Sequence, residues 1–385
     1  MEGGKRGLEW RYTVAALLSS LGSAVLGPYL SLWLKTVGLS FSEIGLVQGV
    51  SEIVQLLTDF PTGGFADRYG RVKTCAAGSA LFGTGLLMIA LSSGLPMVLL
   101  GSAMTGFGAA LVSGTMIPWL YDSLGDGNRV KDVLSRVKAL SGPVRFAGGL
   151  SAGYLASLAP NLPVLAAGLL SIASALTAYL LLPDNYGTLK KSYVEVLKEG
   201  LHELRHNRAV HFLLAASFLL SFSVRAFFTF WMILLSGRGL PETYMGLLFA
   251  LMVLSTSGGA LIAKKISPTP RALAALTALW GLEILLLGLV EGLAPSILLL
   301  FAIEITLGAR FPVMAVVRNR FIPSEARSTV NSAMSTMASG FMAAANIFVG
   351  ALASSFGLEV AYKTAGILAL ASALPLLLLS EFDQE

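Results

Sequence analysis

Residues 63–73 read Gly63-Gly64-Phe65-Ala66-Asp67-Arg68-Tyr69-Gly70-Arg71-Val72-Lys73, one acid and three bases crowded round a glycine. An apolar run leads into this stretch from about residue 42, and another leaves it and continues to about residue 93. Each run exceeds the roughly 20 apolar residues that a helix needs to cross a bilayer. A reversal this short needs a residue that accepts unusual backbone angles, which Gly70 supplies. Its bases mark a loop retained on the cytoplasmic side of a membrane.

The same pattern extends outward over the chain. Apolar residues make up 55% of the 385 positions and charged residues 13%, about half the roughly 25% typical of a soluble domain. Long apolar runs lie near 11–34, 42–65, 73–93, 95–121, 138–159, 162–183, 209–235, 242–263, 271–290, 295–317, 327–355 and 358–380. Alternate loops carry the bases: Arg68, Arg71 and Lys73; Arg129, Lys131, Arg136 and Lys138; Lys190, Lys191, Lys198, Arg205 and Arg208; Lys264, Lys265 and Arg271; Arg318, Arg320 and Arg327. Lys5, Arg6 and Arg11 fall on the same side, so both termini are expected in the cytoplasm. The net charge of +5 is mainly this topological signal and implies no nucleic-acid partner. The N-terminus lacks the apolar core and small-residue cleavage site of a removable signal.

The longest polar stretch, 184–208, divides the chain into an N-terminal bundle over 1–183 and a C-terminal bundle over 209–385. Within it Tyr193, Val196, Leu197, Leu201 and Leu204 recur at helical spacing against Lys198, Glu199, Glu203 and Arg205, the pattern of a helix lying on a membrane surface. Weak similarity links the halves: Phe41-Ser42-Glu43-Ile44-Gly45 with Glu242-Thr243-Tyr244-Met245-Gly246, and 118–142 with 312–340. Internal repeats of this kind are common in membrane transporters.

The 63–73 stretch resembles the GxxxDRxGRxx signature of the major facilitator superfamily, and it stands where that family carries it, between the second and third spans. The resemblance implies an all-α membrane protein of twelve transmembrane helices in two pseudo-symmetric six-helix bundles, working as a secondary transporter. It also implies that Gly63, Asp67, Arg68, Gly70 and Arg71 form a cytoplasmic gate motif, with Asp122 at the end of span 4 a partner for a base. The family's latch meets the start of span 11, here Ile322-Pro323-Ser324-Glu325-Ala326-Arg327-Ser328-Thr329-Val330. The chain is most similar to the drug:proton antiporter branch, with two departures. Ser102 stands where that branch has an Arg before the Gly106-Phe107-Gly108 of span 4, and Gly142-Pro143-Val144-Arg145-Phe146-Ala147-Gly148-Gly149 has two residues too many for its span-5 motif.

Charges inside spans are costly, so each is a candidate for the transport path. Gln48, Glu52, Gln55 and Asp59 fall within about 60° on one face of span 2. Glu52 lies nearest the midplane and is the first candidate for carrying a proton; a structural ion pair is the competing reading. Arg225 on span 7 continues the series Ser217, Ser221, Arg225, Thr229 and is expected to face inward. Glu304 on span 10 is expected to pair with Arg225 or to bind a cation. Arg145 and Arg310 lie closer to the cytoplasmic ends, where long side chains reach the interface. Glu283 on span 9 is assigned a structural or interface role. Tyr29, Trp119, Phe228 and Asn346 join Gln48 as candidate cavity lining, with interfacial anchoring as the alternative for the aromatics.

One cysteine excludes an internal disulfide, and His202, His206 and His211 have no nearby carboxylate cluster, so neither a metal nor another cofactor is expected. GxxxxGK[ST] is missing from the sequence, which argues against an ATP-driven pump. GxSxG occurs as Gly149-Leu150-Ser151-Ala152-Gly153 inside an apolar span, not at a strand-to-helix turn, and HExxH as His202-Glu203-Leu204-Arg205-His206 in the polar connector, so no enzyme is expected. Two readings remain: proton-coupled export of amphipathic or cationic compounds, and transport of an anionic metabolite held by cavity arginines. In both the partners are a small-molecule substrate and the lipid bilayer, with protons in the first. The protein is expected to be a monomer in the cytoplasmic membrane.

Overall fold

The computed structural model describes residues 2–27, 29–92, 94–186, 207–322 and 327–382. The expected surface helix of the connector and the residues 323–326 of the latch lie outside them, as do His202 and His206. The N-terminal helices are α1 (Glu2–Leu26), α2 (Tyr29–Thr36), α3 (Phe41–Tyr69), α4 (Arg71–Leu91), α5 (Leu95–Val112), α6 (Met116–Leu124), α7 (Gly127–Leu158) and α8 (Leu162–Leu181). The C-terminal helices are α9 (Arg208–Gly237), α10 (Glu242–Ala263), α11 (Pro270–Leu289), α12 (Leu293–Arg320), α13 (Arg327–Phe356), α14 (Leu358–Ala371) and α15 (Ala373–Leu378).

Among the described residues nine helical segments are long and apolar enough to cross a membrane, ten when α1 and α2, bent by 41°, are taken as one span. Helices α3 and α7 have the length, 29 and 32 residues, but carry too many polar side chains to pass on hydropathy. With these two the chain has the twelve membrane helices of a two-bundle transporter fold. Two runs that read as single spans are interrupted. The chain turns at Gly27 (φ 37°) between α1 and α2, and at Gly114 (φ 70°) between α5 and α6.

Two compact units are present, one of Met1–Val37 with Val50–Val194, the other of Gly38–Gly49 with Glu195–Glu385. In the first, Tyr12, Val72, Trp119, Leu120, Leu124, Val130, Val133 and Leu182 close a core around the turn between α3 and α4. In the second, Leu273, Val313, Val317, Ile322, Val330 and Leu376 form the corresponding core. Its first segment packs on α13, where Ser42 N donates to Ser354 Oγ at 2.7 Å. Helices α10 and α12 touch backbone to backbone: a Cβ on Gly259 would lie 2.0 Å from the Ile305 carbonyl oxygen, and one on Gly308 2.0 Å from that of Thr256. In lipid, where apolar burial does not drive helices together, such close approach is the main source of packing energy.

Candidate functional site

Helix α3 ends at Tyr69, Gly70 takes φ 106°, and α4 begins at Arg71. Arg71 is 7% exposed. Its Nε donates to Asp67 Oδ1 at 3.0 Å, one turn back, and its Nη1 to Asp122 Oδ2 on α6 at 2.5 Å. One planar guanidinium thereby ties the end of α3 to the end of α6, which a lysine's single ammonium does less well. Arg68 stacks on the exposed Tyr69 ring instead, 5.4 Å from its centroid, and Gly63 lies within α3.

The residues that hold this turn from behind were not singled out from the sequence. Asp184 Oδ1 accepts from Val72 N at 2.9 Å, and its Oδ2 lies 3.7 Å from Lys73 Nζ. A carboxylate at a helix N-terminus satisfies an orphan N–H and opposes the helix dipole. Asn185 O accepts from Arg71 N at 3.1 Å, while its Nδ2 donates to Trp119 O and Ser123 Oγ, both at 3.0 Å. Trp119 Nε1 donates to Pro183 O at 2.8 Å. Residues 183–185 thus clasp α4 to α6. A Cβ on Gly70 would lie 2.1 Å from Asp184 Oδ2, so the glycine is required by space as well as by φ. The available signal was Pro183-Asp184-Asn185 directly after an apolar run, since Asp and Asn readily bond nearby main-chain groups.

Trp119 itself is fully buried, with Tyr12 stacked on it at 5.8 Å. Along α3, Gln48, Glu52, Gln55 and Asp59 are half-buried, as are Leu46, Val50 and Val54, whereas Ile53 and Leu57 are 37% and 67% exposed. Gln55 borders a cavity of about 320 Å³ in the first unit. Tyr29 is buried, and Arg145 is exposed on α7.

In the second unit Arg225 is half-buried on α9 and Phe228 exposed, its ring edge-on to Phe227. Asn346 is fully buried and accepts from Thr229 Oγ1 at 2.9 Å. Three ionisable groups lie buried along α12 and its neighbours. Glu304 meets Thr256 Oγ1 of α10 at 2.5 Å, in place of the expected Arg225. Glu283 Oε1 accepts from Thr306 Oγ1 at 2.9 Å, and its buried Oε2 has no hydrogen-bond partner among the described residues. Arg310 Nε donates to Thr277 Oγ1 at 2.9 Å, Thr277 in turn donating to Leu273 O. Among the described residues none of the three has an oppositely charged side chain within ion-pair distance, and no group of His, Cys, Asp and Glu is placed to hold a metal. The pairing misses because rotation about each helix axis, which sets who faces whom, is not encoded in the spacing along one helix.

The sequence profile of the Major Facilitator Superfamily matches residues 12–303. An uncharacterised transporter of that type from Bacillus subtilis, YxaM, is 24% identical over 375 residues, covering 92% of each chain. Multidrug resistance protein 2 of Bacillus subtilis is 23% identical over 201 residues, 48% of this chain and 50% of that one. Among solved structures the nucleoside transporter NupG superposes with a TM-score of 0.79 at 15% identity, over 98% of this chain and 99% of that one, a likeness of fold.

Proposed function

The chain belongs to the Major Facilitator Superfamily, and on that premise we propose that it is a proton-coupled exporter of amphipathic or cationic small molecules. That it is a multi-pass membrane transporter follows from the family. The proposal adds the coupling ion, the direction, a monomeric state, the cytoplasmic membrane with both termini inside, and two bundles joined by the 184–208 connector. Alternating access supplies the mechanism.

The observation that carries the reading is the setting of Glu304. It is 6% exposed, and its partner Thr256 has one hydroxyl hydrogen and two claimants, Glu304 Oε2 and the Met252 carbonyl oxygen at 3.0 Å. When that hydrogen goes to Met252, a protonated Glu304 completes the contact by donating; when Glu304 ionises, Thr256 turns to it. Proton uptake thereby exchanges one hydrogen bond for another and neutralises a buried carboxylate that has only a hydroxyl to hold its charge. Glu52 and Asp59, with Gln55 between them, extend a polar face on α3 for a substrate's charge or a second proton, and Arg71 with Asp67 and Asp122 serves the gate. The relative named as a multidrug resistance protein, matched over half of its length, favours export of this substrate class.

A second reading, transport of an anionic metabolite, is favoured by Arg310, buried to 8% exposure with a threonine hydroxyl as its partner, together with Arg225 and Arg145. Substrate-induced pH change in proteoliposomes, over a panel of cationic, neutral and anionic solutes, separates the two. Proton movement with cations supports the first, and uptake confined to anions with no proton movement rejects it.

A further inference from the structure

We propose that the first unit contains a binding recess for an uncharged small molecule rich in hydrogen-bond donors, of the polyol or sugar kind. The cavity of about 320 Å³ lies among α1, α3, α4, α5 and α8. Its volume is at the lower end of the roughly 300–1,000 Å³ typical of small-molecule sites. Ser19 and Ser23 of α1, Gln55 of α3, Ser79 of α4, and Ser171 and Ser174 of α8 line it, with Phe82 as an apolar wall, and no ionisable side chain is among the described lining residues.

The chemistry of this lining is directional. Ser23 Oγ donates to Ser19 O at 3.0 Å, Ser171 Oγ to Ala167 O at 2.8 Å, and Ser174 Oγ to Ala15 O at 3.4 Å. Each hydroxyl hydrogen is thus committed to a helix carbonyl, and each oxygen keeps lone pairs to offer the cavity. The wall is acceptor-rich, with the Gln55 amide adding donor and acceptor. An apolar cavity stays dry, but acceptors in this number demand a polar guest. A charged guest would forfeit its hydration with no counter-charge to replace it. A hydroxylated neutral molecule loses less and recovers hydrogen bonds from several helices at once, with Phe82 against its carbon face. The recess requires neither Glu304 nor Glu52 as a proton carrier, nor any direction of transport.

Isothermal titration of the full-length chain in detergent, without a gradient, tests this with glycerol, erythritol, xylose and glucose as neutral probes and choline and succinate as charged ones. At least one neutral probe is expected to bind in the recess, and binding of choline or succinate on the transport path is expected to be unaffected by substitutions in the recess. Ser79→Ala, which removes one acceptor without adding bulk, should weaken binding about fivefold, and Ser171→Leu, which fills the space, should abolish it. The proposal is overturned if no neutral probe binds, if Ser79→Ala and Ser171→Leu weaken a charged probe as much as a neutral one, or if a folded Ser171→Leu chain still binds the neutral probe. Should Ser171→Leu fail to fold, unchanged affinity in Ser79→Ala overturns it alone. Because binding is read at equilibrium, loss of proton coupling elsewhere leaves this result untouched.

Discussion

Asp184 sets a carboxylate oxygen 2.9 Å from the main-chain nitrogen of Val72, at the open end of the helix that begins with Arg71. The contact spans 112 residues of sequence and joins the exit of α8 to the turn between α3 and α4. Replacing Asp184 by Ala should cost about 1 kcal/mol, the usual value of a helix cap. Thermal unfolding in detergent reads the stability. If the clasp also positions the gate, initial transport rates fall while half-saturating substrate concentration stays put.

Gly70→Ala should be worse than Asp184→Ala, because it meets both a left-handed φ and a carboxylate oxygen 2.1 Å away. In the double variant the clash is relieved and only the backbone strain of a sparsely populated conformation, about 1–3 kcal/mol, remains. Two single losses that add in full would contradict that geometry.

The two arms of Arg71 differ in exposure, the Asp67 side chain at 29% and the Asp122 side chain at 55%. Exposed pairs are worth about 0–1 kcal/mol and are screened by salt. Asp67→Asn is therefore expected to lower the unfolding temperature more than Asp122→Asn, and the effect of Asp122→Asn should shrink at high salt. Equal and salt-insensitive losses would show the ranking by exposure to be wrong.

Glu304→Gln keeps the contact with Thr256 and removes ionisation. Proton-driven flux should disappear while substrate binding persists within a few fold. Glu283→Gln is the control: its single hydrogen bond to Thr306 Oγ1 is retained, and coupling should survive. Proteoliposome flux with and without a pH gradient checks both, and undiminished coupling in Glu304→Gln would remove it as a carrier.

Arg310 is buried against a neutral hydroxyl, so its charge is held at a cost. Arg310→Met, similar in length and apolar, should leave the unfolding temperature unchanged or higher. Retained uptake of an anionic solute by that variant would count against an anion-binding role.

The spans, the turn at Gly70 and the polar face of α3 were legible because each depends on residues near one another in sequence: hydropathy over about twenty positions, a glycine between bases, a helical repeat. The interruptions at Gly27 and Gly114 are marked only by Gly27-Pro28 and Ser113-Gly114, local turn signals that the long apolar runs on either side outweigh. Asp184 with Val72, Arg310 with Thr277, and Glu304 with Thr256 were not legible, since they join different helices. Trp119 illustrates the limit, for its apolar character suits a cavity wall and a core equally, and only Tyr12 and Pro183 show where it lies.

The clasp of residues 183–185 also dictates where this molecule can be recombined. A chimera that exchanged halves with a relative at the end of α8 would give the donor half a foreign Asp-Asn pair, or none, to seat on Val72, Arg71 and Ser123. With the joint placed after Asn185, both sides of the clasp come from one parent, and the graft inherits its turn intact.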